Sequence, residues 1–224
     1  MRDSARRRGG ITTACTRRRK RGGAASQPWV VYEEGSLKKS LEQRIEEAIR
    51  EEISIIPYDP EWPILFKKES EFLRHNLPAS LITRIEHFGS TAIPGLAAKP
   101  IVDMLVEVDS LEETQKQIVP LLESEGYDYF WRTDSQPPYA WFIKRNAEGI
   151  RTHHIHMVEA DSKLWERLYF RDYLKKFPAE AKRYGELKQS LSEKYPNDRV
   201  GYTEGKTEYV LSVTERAKQY YDAT

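Results

Sequence analysis

The 224-residue chain is 39% hydrophobic and 32% charged, with a formal net charge of +1. It holds no run of 18 or more apolar residues, so no membrane span is expected, and its single cysteine, Cys15, excludes an internal disulfide and a cysteine-rich zinc site. Charge is unevenly spread: residues 1–28 carry nine Arg or Lys against one acid and the remainder 27 against 34, so the bulk of the chain is net acidic and a poor general binder of nucleic acid.

Residues 1–28 are poor in apolar side chains and rich in Arg, Gly, Ser and Thr. They bury too little surface to offset the entropy of ordering and read as a disordered extension. Three roles fit: an Arg-rich mitochondrial presequence, a basic tail for nucleic acid or anionic lipid, or upstream sequence without a role. No amphipathic face shows among the arginines, which weakens the presequence reading; the cytoplasm is the expected compartment. Residues 29–52 read as a linker and a helix. Leu37, Leu41, Ile45 and Ile49 recur every fourth residue, and Ser36 is placed to cap the helix.

Residues 53–224 read as one compact domain of adequate size for a core. A helix opens at Asp59 or Pro60 and runs through Trp62, Leu65, Phe66, Phe72 and Leu73. Strands follow at Leu81–Phe88 and Ile101–Val108, then a helix at Leu111–Glu125. Three more strands read at Tyr127–Arg132, Tyr139–Arg145 and Arg151–Val158, the last two joined by an Asn146–Gly149 turn. Three C-terminal helices are predicted at Asp161–Phe177, Pro178–Lys194 and Arg199–Tyr221. Alternation of strands and helices, then a meander, then helices, predicts an α/β (α+β) mixed sheet of about five strands flanked by helices.

The stretch EHFGSTAIPGLAAKPIVDMLVEV (Glu86–Val108) carries the strongest chemical pattern. Gly89 permits a sharp turn after an apolar strand, and Ser90 and Thr91 add hydroxyls beside exposed amides, a concave anion site. Asp103 arrives on the next strand, where a carboxylate can hold a divalent metal against a phosphate. The same pattern also fits a plain hairpin connection before a core strand. Val102, Met104, Val106 and Val108 share one strand face; Ile101, Asp103, Leu105 and Glu107 share the other.

HFGSTAIPGLAAKPIVD resembles the signature of the GrpB-like proteins. PYDPEWPILFKKE, HIH (His154–His156), LYFRDYLKKFP, AKRYGELKQSL and YTEGKTEYV resemble the rest of that family's pattern in the same order, over residues 53–220. The resemblance implies a fold similar to the nucleotidyltransferase superfamily. That superfamily places a Gly-Ser turn before two carboxylates one residue apart, with a third acid on a later strand. Gly89, Ser90 and Asp103 match. Leu105 stands at the second carboxylate and cannot ligate a metal; Glu107, on the same face about 6.6 Å farther along, is its candidate substitute. The later strand offers His154 and His156, on one face, in place of the third acid. With Asp103 they would form a set suited to Mg²⁺, Mn²⁺ or Zn²⁺; satisfied core histidines are the alternative.

Lys99, Arg171 and Lys206 are candidate counter-charges for phosphate; solvated lysines and a helix-to-sheet ion pair are the competing readings. Arg171 and Asp172, adjacent on a helix, are expected to find different partners. Tyr184 and Lys188, like Tyr202 and Lys206, pair an aromatic with a lysine four residues on. Trp62, Trp131, Trp141 and Trp165 read as core or cleft-edge packing. There is no Gly-x-Ser-x-Gly elbow, Walker loop or Rossmann fingerprint. These features predict a domain that binds a phosphate-bearing small molecule, with a nucleoside triphosphate and a divalent metal as expected ligands. If catalytic, it transfers a nucleotidyl group to a small acceptor. The competing class is a non-catalytic binding or chaperone-like module. GrpB-like domains also occur fused to dephospho-CoA kinases, which suggests a coenzyme A pathway partner.

Overall fold

The computed structural model describes residues 40–133 and 137–223. The reading of residues 1–28 as disordered and of Ser36 as a cap lies outside them. Helix α1 (Leu41–Arg50) is capped by Ser40, whose hydroxyl accepts from the Gln43 amide while the Gln43 side chain accepts from the Ser40 amide. This reciprocal box satisfies two donors that a helix end leaves open. Ile45 and Ile49 are 43% and 42% exposed, as a surface helix requires. The compact domain takes hold just after it: Glu51 pairs with Arg145, Arg151 and Arg199, and the Ile53 amide donates to the Pro196 carbonyl.

Helix α2 (Glu61–Asn76) precedes strands β1 (Ile82–Phe88) and β2 (Val102–Val108). Next come α3 (Leu111–Glu113), a π segment (Thr114–Ile118) and α4 (Val119–Ser124), which replace the single helix expected there. Pro120 lacks an amide and its ring opposes the carbonyl four residues back, so a wider turn ahead of it relieves the conflict. Strands β3 (Asp128–Arg132), β4 (Tyr139–Arg145) and β5 (Arg151–Val158) form the expected meander.

The sheet order is β1-β2-β5-β4-β3, with β2 and β5 parallel and every other pair antiparallel. This is the mixed α+β sheet expected. The chain leaves β2, enters the far edge as β3 and winds back until β5 lies against β2. That return sets Asp103 opposite His154 and Leu105 opposite His156, joining residues about fifty positions apart.

Strand alternation divides the sheet as predicted. Val102, Met104, Val106 and Val108 pack with Trp62, Leu73, Ile118, Leu122, Phe142 and Ile155 in the main core. Each fully buried aliphatic or aromatic side chain there contributes about 1.5–3 kcal/mol. The other face carries Phe88, Asp103, Leu105, Tyr139, His154 and His156. It is partly covered by α5 (Arg167–Lys176), α6 (Pro178–Lys194), α7 (Arg199–Gly205) and α8 (Thr207–Asp222). The last expected helix is thus two, broken at Lys206. Gly205 packs so close to α6 that a Cβ there would stand 2.6 Å from Leu191 Cδ2.

Candidate functional site

Gly89 ends β1 with φ 72° and ψ −171°, a conformation essentially confined to glycine. A Cβ at this position would stand 2.3 Å from Asp103 Oδ2. The turn and the carboxylate therefore touch across neighbouring strands only because residue 89 has no side chain. Ser90–Ala92 form one 3-10 turn, so the first amides of that turn have no partner within it. The Ser90 side chain lies beside the Tyr184 hydroxyl. Thr91 is turned inward: it is 1% exposed, its hydroxyl donates to the Ile101 carbonyl at 3.3 Å, and His87 Nε2 lies 3.0 Å away. Its hydroxyl braces the loop rather than facing the cleft.

Asp103 is deep in the protein yet its side chain is 29% exposed, which places it on the floor of an open cleft. Burial acts to raise its pKa, but the His154 hydrogen bond and the positive charge of Lys99 act against it, and the carboxyl is held below its ordinary range. Burial pushes His154 down against the opposing pull of Asp103, and pushes His156 down to about 3. At neutral pH the carboxylate is charged and both imidazoles are neutral. His154 Nδ1–H then donates to Asp103 Oδ1 at 3.2 Å, leaving a lone pair on Nε2.

Two observations fit a divalent metal. One ligand atom from each of Asp103, His154 and His156 lies within 4.8 Å of the other two. His154 Nε2 and His156 Nδ1 are buried without hydrogen-bond partners, a state that costs about 1–3 kcal/mol per group unless something fills it. One carboxylate and two imidazoles suit a transition metal.

Glu107 is not in this group. It stands four residues along β2, opposite Arg84 and Val158. Leu105 is 0% exposed and packs with Phe88, Tyr139, Val158 and Leu168.

Cations gather on the loop side of the cleft. Lys99 and Lys206 lie 5.0 and 4.9 Å from the Tyr202 ring, and among the described residues neither has an ion pair. Burial, joined by Lys206 and Arg199, lowers Lys99 to about 7; burial also lowers Lys206. Both act on Asp103, so they sit within electrostatic reach of the carboxylate. Arg171, in contrast, is already occupied. It donates to Glu86 Oε2 at 2.8 Å, to the His87 carbonyl at 2.8 Å, and to both oxygens of Asp172 at 2.7 and 3.0 Å. The helix-to-sheet ion pair is present, but Arg171 and Asp172 share it: the long guanidinium folds back along the helix to its own neighbour, which the separation of backbone directions does not forbid.

Lys188 is 1% exposed; its ammonium donates to the Ala97 carbonyl and lies 4.9 Å from the Tyr184 ring. It anchors the loop that carries Lys99. Burial and Lys206 lower its pKa to about 7 against the pull of Asp103. The unfolded chain keeps this proton up to about pH 10.5, so above about 7 the unfolded state binds more protons and stability rises with pH. Lys188→Met is expected to shrink that rise. Urea midpoints at about pH 7.5 and about pH 9.5 measure it; an equal rise in parent and variant would contradict the assignment.

A glycine turn set against a carboxylate, with two imidazoles on the next parallel strand, lies on one face of a mixed α+β sheet. The family described as GrpB protein matches residues 52–216, and the chain belongs to the GrpB family. It is 40% identical over 181 residues to a UPF0157 protein of Pseudomonas aeruginosa, covering 78% of this chain and 72% of that one. It is 38% identical over 163 residues to the glutamate-rich protein GrpB of Alkalihalophilus pseudofirmus, covering 71% and 92%. The crystal structure of conserved protein GrpB from Enterococcus faecalis matches with a TM-score of 0.67 at 31% identity, over 75% of this chain and 99% of that chain. A dephospho-CoA kinase of Mycolicibacterium paratuberculosis is 26% identical over 198 residues, with 78% of this chain matching 48% of its length. Among the described residues no helix is long and apolar enough to cross a membrane.

Sequence reasoning did not single out Arg167, for which helix periodicity from Arg171 back one turn was the available signal.

Proposed function

We propose that the cleft binds a divalent metal at Asp103, His154 and His156, and against it a phosphate-bearing small molecule, a nucleotide. The observation that carries this reading is the half-buried trio, with two orphaned imidazole nitrogens beside a carboxylate in contact with the Gly89 turn. When bound, the metal supplies charge neutralisation at phosphate oxygens. The amides and hydroxyl at Ser90 orient a phosphate, and Lys99 and Lys206 balance its charge. Gly89, Ser90 and Asp103 keep the arrangement of a nucleotidyltransferase, which supports nucleotidyl transfer to a small acceptor as the reaction.

Leu105 supports a second reading. A fully buried leucine at the place of the second carboxylate leaves a binding module that retains the cleft without the two-metal chemistry. Similarity to part of a dephospho-CoA kinase makes coenzyme A a ligand worth testing, and a coenzyme A pathway protein a partner worth testing.

Calorimetric titration of ATP, GTP, CTP, UTP and coenzyme A, each with Mg²⁺, Mn²⁺ or Zn²⁺, tests the nucleotide reading. Metal-dependent binding of one triphosphate, lost in Asp103→Ala, is the expected result. Binding of none with any metal would remove the nucleotide reading.

A further inference from the structure

Two polar groups near His156 have no part in the site as described. The first is the indole N–H of Trp141. Trp141 stands opposite His156 in the β4–β5 register, its ring 5.2 Å from that of His154 and 6.1 Å from that of His156. Its Nε1 is buried without a hydrogen-bond partner. An indole nitrogen only donates, so a metal cannot satisfy it; an acceptor oxygen can.

The second is the guanidinium of Arg167. It opens α5, on the segment whose Leu164, Trp165 and Leu168 pack with Phe88, Leu105, Tyr139 and Trp141. It lies three residues before Phe170, which packs edge-on against Tyr184 at 5.1 Å, and four before Arg171; helix spacing puts these residues on one face. Its charge is felt by His156, Tyr184 and Lys206, so it lies within electrostatic reach of an imidazole and a lysine of the site. Among the described residues the Arg167 side chain has no ion pair or hydrogen bond, and its backbone amide donates to the Leu164 and Trp165 carbonyls. A half-enclosed arginine fork with no carboxylate is matched to a planar or tetrahedral oxyanion.

We propose that the cleft holds a ligand phosphoryl group between Arg167 and the Trp141 indole N–H, beside the Asp103–His154–His156 trio, and that Arg167, in place of Arg171, is the arginine that meets the ligand. This deepens the reading of a metal- and phosphate-binding cleft and rests on it.

The test uses the full chain, first titrated with Mn²⁺ and then, metal-loaded, with inorganic phosphate and with pyrophosphate. Arg167→Ala is expected to weaken phosphate or pyrophosphate about tenfold or more while leaving Mn²⁺ affinity unchanged. Arg167→Lys, which keeps the charge but not the fork, is expected to fall between parent and alanine and covers the case in which alanine does not fold. Trp141→Phe, which removes the donor and keeps the ring, is expected to weaken the same ions severalfold. Unchanged anion affinity in folded Arg167 variants would overturn the proposal, as would a metal-loaded parent that binds neither ion. A parent that binds no metal would instead remove the reading on which it rests.

Discussion

Gly89→Ala is expected to destabilise the fold by about 2–5 kcal/mol, combining a glycine-only backbone conformation with overpacking. The backbone at residue 89 has φ 72° and ψ −171°, and the added methyl would stand 2.3 Å from Asp103 Oδ2 and 2.9 Å from Asp103 Cβ. Neither partner can withdraw easily. Asp103 is held by His154 and by strand pairing on both sides, and the residue 89 carbonyl accepts from Ala92 to form the following turn. The double variant Gly89→Ala, Asp103→Ala should recover only part of the loss, because it removes the clash with Oδ2 and leaves the backbone strain and the Cβ contact. Urea unfolding of the two single variants and the double variant measures this coupling. A cost below about 0.5 kcal/mol, the level of an ordinary surface change, would mean that the turn and the carboxylate do not meet as described.

His156→Phe is expected to separate stability from function. His156 lies among Phe88 and Tyr139, with ring centroids at 5.2 and 5.4 Å, and its Nδ1 is buried without a partner. Phenylalanine fits that aromatic setting and removes a buried polar group whose isolation costs about 1–3 kcal/mol. The variant should be at least as stable as the parent. Its metal affinity should fall by at least about a hundredfold, since loss even of outer supporting groups costs ten- to a hundredfold. A residue whose removal helps the fold and disables the site is one retained for function. Thermal unfolding and metal titration on the same preparation read both effects; a destabilised variant with intact metal affinity would make His156 a packing residue.

Much of the architecture was legible because strand alternation is a strong signal. The apolar row Val102–Met104–Val106–Val108 and the opposite row carrying Asp103 were separable from residue pattern alone. The five strands followed from alternation bounded by turn residues such as Asn146 and Gly149. What the pattern could not supply was the order of the strands. Asp103 and His154 become neighbours because the meander returns β5 against β2, a pairing decided by packing across the whole sheet. The π segment before Pro120 and the break at Lys206 were hidden for a similar reason: each settles a conflict between one residue's geometry and a helix that propensity would otherwise continue.

The site was legible by residue type more than by partner. Lys99 and Lys206 lie within electrostatic reach of Asp103, and His154 and His156 do share a face with it. Thr91 turns inward because its hydroxyl meets the Ile101 carbonyl and His87, contacts that depend on the loop's exact path. Arg171 is occupied by Glu86, a residue from the strand it packs against, while the Arg167 side chain one turn earlier has no ion pair among the described residues. Sequence spacing could not say which arginine of this helix would find a carboxylate.

The central claim is that Asp103, His154 and His156 form a metal-binding trio. Calorimetric titration of Zn²⁺ and of Mn²⁺ into the full chain and into Asp103→Ala, with circular dichroism to confirm that both are folded, tests it most directly. The expected result is saturable binding of one ion per chain, lost or weakened at least about a hundredfold in the variant. Absence of saturable binding to the parent, or equal binding to the folded variant, would contradict it.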